Sequence, residues 1–207
     1  MLPMQVERAI ADSYSHKLTL ADNFDRALRG AVAEIKTAVM CGKGCNHCCY
    51  YPTYISALEA IPIYRHLGSK GRWTPALRKQ LQKHAETTTA LAPEVWMLSQ
   101  IACPLLDDKG HCIAYAARPL SCHLMYSTRD PHLCHPHREG IFRPMPLRIP
   151  ILGEFSSVEA RYFKANGAQH FMLPISKALS LAESLCSGEL DFDAMNTWIY
   201  KEYEAHR

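Results

Sequence analysis

From Leu20 onward the apolar residues recur at steps of three and four. Leu20, Phe24, Ala27, Leu28, Ala31, Val32, Ile35 and Val39 fall on one face of a helix. Thr19 or Asp22 opens it, and Gly30 inside it costs about 1 kcal/mol against alanine. This helix is expected to end just past Met40 and to deliver Cys41. Residues 4–17 are more weakly periodic and are expected to form a helix of their own.

Further along, Ser56 and Glu59 have the S-x-x-E spacing of a capping box, so a helix is expected from there to Leu67, disturbed by Pro62 and ended by Gly68. Thr74-Pro75 places an N-cap before a proline at the first helical position. That helix runs to about Ala90, with Leu77 and Leu81 inward and a charged outer face. Pro93 restarts a short apolar helix through Val95, Trp96, Leu98 and Ile101. Two or three helices close the chain, over about 154–166, 174–186 and 192–204, the second ending at Ser187-Gly188.

The stretch between these helices is different. Two short apolar runs flank Asp107-Asp108-Lys109-Gly110, which predicts a hairpin or tight turn with Cys103 and Cys112 at the ends of its arms. One helical turn over Ala114–Ala117 is stopped at Arg118-Pro119, because the residue before proline avoids the helical region. Cys122 follows, then a loop to Cys134. Six prolines and glycines between 135 and 153 predict extended connecting structure. No βαβ alternation and no glycine-rich nucleotide motif is present. The fold class is mainly α: a small helical domain around an irregular, loop-and-hairpin, cysteine-rich metal centre. A single domain of 1–207 is expected, with the core at 41–134 and helical flanks at 1–40 and 154–207.

Composition narrows the function classes. A chain of 207 residues buries a core without crosslinks, so its nine cysteines need another reason. The net charge of +3 is too mild and too evenly spread for nucleic acid, and the basic stretch of Lys70, Arg72, Arg78, Lys79 and Lys83 reads as a solvated helix face. No window approaches the roughly 18 apolar residues of a membrane span. Residues 1–8 lack the pattern of a secretory signal, so the expected compartment is the cytoplasm, where clustered thiols mean metal or redox chemistry more often than disulfides.

Four of the nine cysteines fall within nine residues, Cys41-Gly-Lys-Gly-Cys45-Asn-His-Cys48-Cys49. Gly42 and Gly44 let the backbone fold tightly there. Cys103, Cys112, Cys122 and Cys134 form a second group. Thiolates are soft donors that suit Zn²⁺ or iron–sulfur iron, and C-x3-C-x2-C presents three of them from one loop. Cys48 and Cys49 are adjacent, which makes one shared mononuclear ion awkward for both in extended backbone. Eight cysteines allow two four-thiolate sites or one cluster with spare thiols. Cys186, in a helical pattern away from both groups, reads as a packing residue. His47, His111, His123, His132, His135 and His137 surround the cysteines, with His47 and His123 the ones to test as ligands or sulfur partners. Tyr50, Tyr51, Tyr54, Tyr115 and Tyr126 are expected to wall the site.

These residues resemble the YkgJ-type cysteine-cluster family, the zinc- or iron-chelating CxxCxxCC domain. The resemblance runs over Cys41-x3-Cys45-x2-Cys48-Cys49, then Cys103-Pro104-Leu105-Leu106, Gly110-x-Cys112-Ile113-x-Tyr115, Arg118-Pro119-x-x-Cys122 and Cys134. It covers about 41–134 and implies eight metal-associated cysteines. The first gap is one residue longer than the family's label, and His123 stands where the family commonly has arginine. The same domain occurs in flagellin lysine N-methylase relatives, which implies a metal-dependent protein-modifying enzyme as a second reading. The C-x3-C-x2-C spacing is also similar to the cluster loop of radical S-adenosylmethionine enzymes. Residues 50–101 read as helices rather than barrel units, so only a cluster with an open iron is retained from that likeness. The lead reading is therefore a cytoplasmic protein that binds metal through eight cysteines, as an iron–sulfur cluster slightly ahead of zinc. The alternatives are the modifying enzyme and an interaction module stapled by structural zinc.

Overall fold

The computed structural model describes residues 2–34, 36, 38–128 and 171–191, with Cys134, Glu159, Ala160, Lys164 and Ala194 described singly. The chain is mainly helical. Helix α1 (Met4–Glu34) is continuous for 31 residues, about 46 Å at 1.5 Å per residue. Two helices were expected here. Val6, Ala9, Ile10, Ser13, Lys17, Leu20, Ala21, Phe24, Leu28 and Val32 are all buried, which is one unbroken stripe at helical spacing. Ser13 and Lys17 are polar, so a reading of apolar residues alone saw a gap where the stripe continues. The helix also stops earlier than expected. Lys36 takes φ +51, and Met40 N–H donates to Ser127 O at 2.8 Å, so the chain folds back before Cys41.

Helices α2 (Ala57–Ser69), α3 (Pro75–Thr89), α4 (Pro93–Leu98) and α5 (Leu120–His123) follow, and α6 (Ile175–Ser187) lies beyond them. The expected caps are present: Ser56 Oγ accepts from Glu59 N–H at 3.1 Å and Thr74 Oγ1 from Leu77 N–H at 3.2 Å. Thr74→Ala is expected to lower stability by about 1 kcal/mol. Urea denaturation would show a lower midpoint at unchanged slope. Helix α2 runs through Pro62 and Gly68 rather than ending at Leu67, and α4 stops at Leu98, short of Ile101. Gly188 caps α6 with φ +80, the left-handed position that favours glycine. The expected helices at 154–166 and 192–204 and the extended stretch at 135–153 lie outside the described residues, apart from those named singly.

Two two-residue strands went unforeseen. Strand β1 (Tyr54–Ile55) pairs antiparallel with β2 (Leu173–Pro174), Tyr54 opposite Pro174 and Ile55 opposite Leu173. Two residues carry no readable alternation, and the partners lie far apart in sequence.

Two apolar clusters organise the fold. The larger joins α2, α3 and α6 to the first turns of α1, around Ile55, Leu58, Ile61, Leu67 and Leu179. The smaller joins the second half of α1 to Leu120 and Tyr126, with Val39 and Cys41 packed against it. Helix α1 therefore serves as a rail, with one end in the main core and the other along the cysteine-bearing segments. No helix of the described residues is long and apolar enough to cross a membrane.

Candidate metal centre

Each cysteine segment is tied to the next by a backbone or side-chain bond. Gly44, at φ +97, makes the turn Gly42–Cys45, closed by Cys45 N–H to Gly42 O at 3.1 Å. Of the two glycines expected to shape this loop, Gly44 alone takes a positive φ. The following residues His47–Tyr50 form a 3-10 turn. Such a turn places adjacent side chains about 120° apart, against about 180° in a strand. This resolves the awkward neighbours: Cys48 and Cys49 line the same cavity.

The second cysteine group is fastened to the first. Cys103 N–H donates to Cys49 O at 2.7 Å. The expected hairpin forms, with Leu106 and Cys112 as a bridge, Ile113 N–H on Leu105 O at 2.9 Å, and Gly110 at φ +75 in the turn. Asn46 Nδ2 donates to Gly110 O at 3.1 Å, and a Cβ at Gly110 would collide with that amide. A 3-10 turn, Tyr115–Ala117, then leads through Arg118-Pro119 into α5, which carries Cys122. The Glu59 carboxylate accepts from Leu120 N–H at 2.5 Å and fixes that helix to α2. Ser127 N–H donates to Cys41 Sγ at 2.9 Å, and Tyr51 Oη donates to Cys134 O at 3.0 Å.

The outcome is one cavity of about 250 Å³ lined by Cys41, Cys45, Cys48, Cys49, Cys103, Cys112 and Cys122. Cys134 is buried beside Tyr51 and close enough to Cys41 to raise its pKa. All nine cysteines are free thiols. Cys186 is apart, packed against the main core near Arg65, as expected of a packing residue. Among the described residues, no three cysteine, histidine, aspartate or glutamate side chains are grouped as the ligands of one ion. The thiols share a cavity rather than a closed coordination sphere. As a donor set they fit soft or borderline metal.

The electrostatics follow from burial and one cation. Burial pushes the Cys41 thiol up to about 11 and the Cys103 thiol up to about 12, with nearby thiolates adding to both. Cys122 lies well above the ordinary thiol range for the same reasons. Within the adjacent pair, the interaction of the two side chains holds Cys48 low and Cys49 high, so the proton stays on Cys49. Burial raises the Cys112 thiol too, and the Arg118 guanidinium works against that rise while helping to hold Cys48 low.

Of the histidines, His123 lines the cavity but bonds to no sulfur; its ring lies between Arg118 and Asp25. His47 and His111 do not line it, and His132, His135 and His137 lie outside the described residues. Tyr51, Tyr115 and Tyr126 form part of the wall, joined by Phe24, whereas Tyr54 packs on Trp96 with ring centroids 5.6 Å apart. Sequence reasoning missed three contributors. Arg118 was read only as a helix stop and motif residue, Glu59 only as a cap partner, and Asp25 not at all. The available signal for Asp25 was its place next to Phe24 on the helix stripe.

A helical scaffold that gathers seven thiols around one cavity defines a cysteine-cluster protein. The chain belongs to the CxxCxxCC family, described as a "putative zinc- or iron-chelating domain", whose family model matches residues 40–143. No curated protein and no solved structure matches it significantly.

Proposed function

We propose that Cys41, Cys45, Cys48, Cys49, Cys103, Cys112, Cys122 and Cys134 hold a polynuclear metal centre within a single domain of 1–207, an iron–sulfur cluster in preference to zinc. The supporting observation is that seven thiols line one cavity of about 250 Å³. A single tetrahedral ion takes four donors, so this set exceeds what one ion uses. A reducing compartment, the cytoplasm, suits thiols kept free for metal. Because burial raises the Cys41, Cys103 and Cys122 thiols and so favours their protonated forms, loading metal on them releases protons and tightens as pH rises.

Anaerobic purification, with the visible spectrum and iron, sulfide and zinc quantified on one sample, tests this. The expected protein is brown, with matched iron and sulfide. A colourless protein with stoichiometric zinc would replace the cluster with closed four-thiolate sites of a structural kind.

A second reading, an enzyme acting on a protein or small molecule at an open iron, draws support from the aromatic wall of Phe24, Tyr51, Tyr115 and Tyr126 beside the cysteine loop. It expects the cluster's visible or paramagnetic spectrum to change when S-adenosylmethionine is added. An unchanged spectrum would sink that form of it.

A further inference from the structure

Arg118 is the only lysine or arginine among the described residues lining the cysteine cavity. Three neighbours fix its position. Its guanidinium lies over the Tyr115 ring, 4.2 Å from the centroid. One terminal nitrogen is 3.0 Å from His123 Nδ1, and His123 Nε2 is 3.3 Å from Asp25 Oδ1. Arginine has no acceptor, so Nδ1 must accept. The ring proton then sits on Nε2 and is donated to Asp25. Both imidazole nitrogens are thereby spent, and His123 is unavailable as a metal ligand in this arrangement.

A divalent ion ringed by four thiolates is a net dianion, and a thiolate-bound cluster is likewise anionic. Part-buried negative charge is costly unless a cation offsets it. We propose that Arg118 is the fixed counter-charge of the thiolate centre, held in place by the Tyr115 ring and the Asp25–His123 pair. The inference rests on the metal-centre reading above. Arg118 acts through the thiolates, so it is a positioning residue of the centre. Arg118, Tyr115, His123 and Asp25 line the same cavity as the seven thiols.

The test uses the full chain purified anaerobically, with total bound zinc and iron followed over time against excess EDTA. Arg118→Met keeps the packing and removes the charge; it is expected to lose metal about tenfold faster than wild type. Arg118→Lys restores the charge without the fork, and is expected to recover retention to within about threefold. His123→Leu removes the tether and is expected to fall between wild type and Arg118→Met. A purely structural role for Arg118 would leave the lysine variant as defective as the methionine variant, and that result would overturn the counter-charge. So would wild-type retention in Arg118→Met. If Arg118→Met does not fold, His123→Leu decides: unchanged retention there also overturns the inference. A wild-type chain that carries no metal sinks the metal-centre reading, and the counter-charge with it. Metal bound by wild type and held equally well by Arg118→Met sinks the counter-charge alone.

Discussion

Stripping the protein of metal is expected to lower its melting temperature by about 8–16 °C while leaving most of its helical signal in place. A ligand present at a thousand times its Kd stabilises the folded state by about 4 kcal/mol, and in a chain of this length each kcal/mol moves the melting temperature by about 2–4 °C. The partial character of the change follows from the two apolar clusters. The main core rests on side chains such as Ile55, Ile61, Leu67 and Leu179, which are almost wholly buried among other apolar residues, with Cys103, Cys112 and Cys186 packed against the cluster as partly buried neighbours. The cysteine segments have less of their own. Between residues 101 and 128 the regular structure is one bridge at Leu106–Cys112, the 3-10 turn Tyr115–Ala117 and the single turn of α5. Far-UV circular dichroism is therefore expected to change little on chelation, while near-UV signals from Tyr51, Tyr115 and Tyr126 at the cavity collapse. A metal-free protein that melts with the loaded one, on full-length chain confirmed to have contained metal, would show that the thiols do not hold the fold together.

The legible parts of this chain were those in which local chemistry and global fold agree. Thr74-Pro75 and Ser187-Gly188 mark helix ends by backbone rules that no distant contact alters, and both ends are where the sequence places them. The cysteine groups were legible because eight thiols at those spacings have few other uses. Three of the failures share one cause, a polar residue whose partner lies far along the chain. Lys17 interrupts the apolar stripe of α1 because it is buried against Glu59, 3.9 Å away. Glu59 keeps only half of its capping box: its backbone N–H bonds Ser56, but its carboxylate turns inward to Lys17 and Leu120. His123 is one of two histidines that the sequence offers for test as a ligand or sulfur partner, and its actual partners come from α1 and from Arg118. Spacing along a chain shows which residues are similar; it does not show which charges will find each other.

The buried Glu59 is expected to govern the acid side of the stability profile, in opposition to His84. Desolvation raises the Glu59 carboxyl from 4.5 to about 7, against the pull of Lys17 and of the Leu120 N–H. Between those values the folded protein holds a proton that the unfolded chain has released. The stability this contributes is complete below pH 4.5 and is lost as pH rises to 7, about 3 kcal/mol in all at 1.36 kcal/mol per unit. His84, buried against Trp96 and bonded to Ser176 Oγ at 3.0 Å, is lowered by desolvation from 6.5 to about 4. There the unfolded chain binds the proton first, so stability rises from pH 4 to 6.5 by a similar amount. The two slopes nearly cancel in the wild type, whose denaturant midpoint is expected to be almost level across pH 4.5–6.5 once shared losses are subtracted. Glu59→Gln keeps an acceptor for Leu120 N–H but cannot titrate, and should expose the rising slope of His84. His84→Gln should expose the falling slope of Glu59. Comparing each variant with wild type at the same pH removes proton-driven metal loss, which all three share. Parallel profiles would mean that neither group carries its proton differently in the folded state. Glu59→Ala goes further, because it leaves Lys17 and the Leu120 N–H inside the fold without that carboxylate. Above pH 7, where the carboxyl is ionised, a loss of about 3–5 kcal/mol is expected, with faster metal release if α5 and Cys122 depend on that anchor.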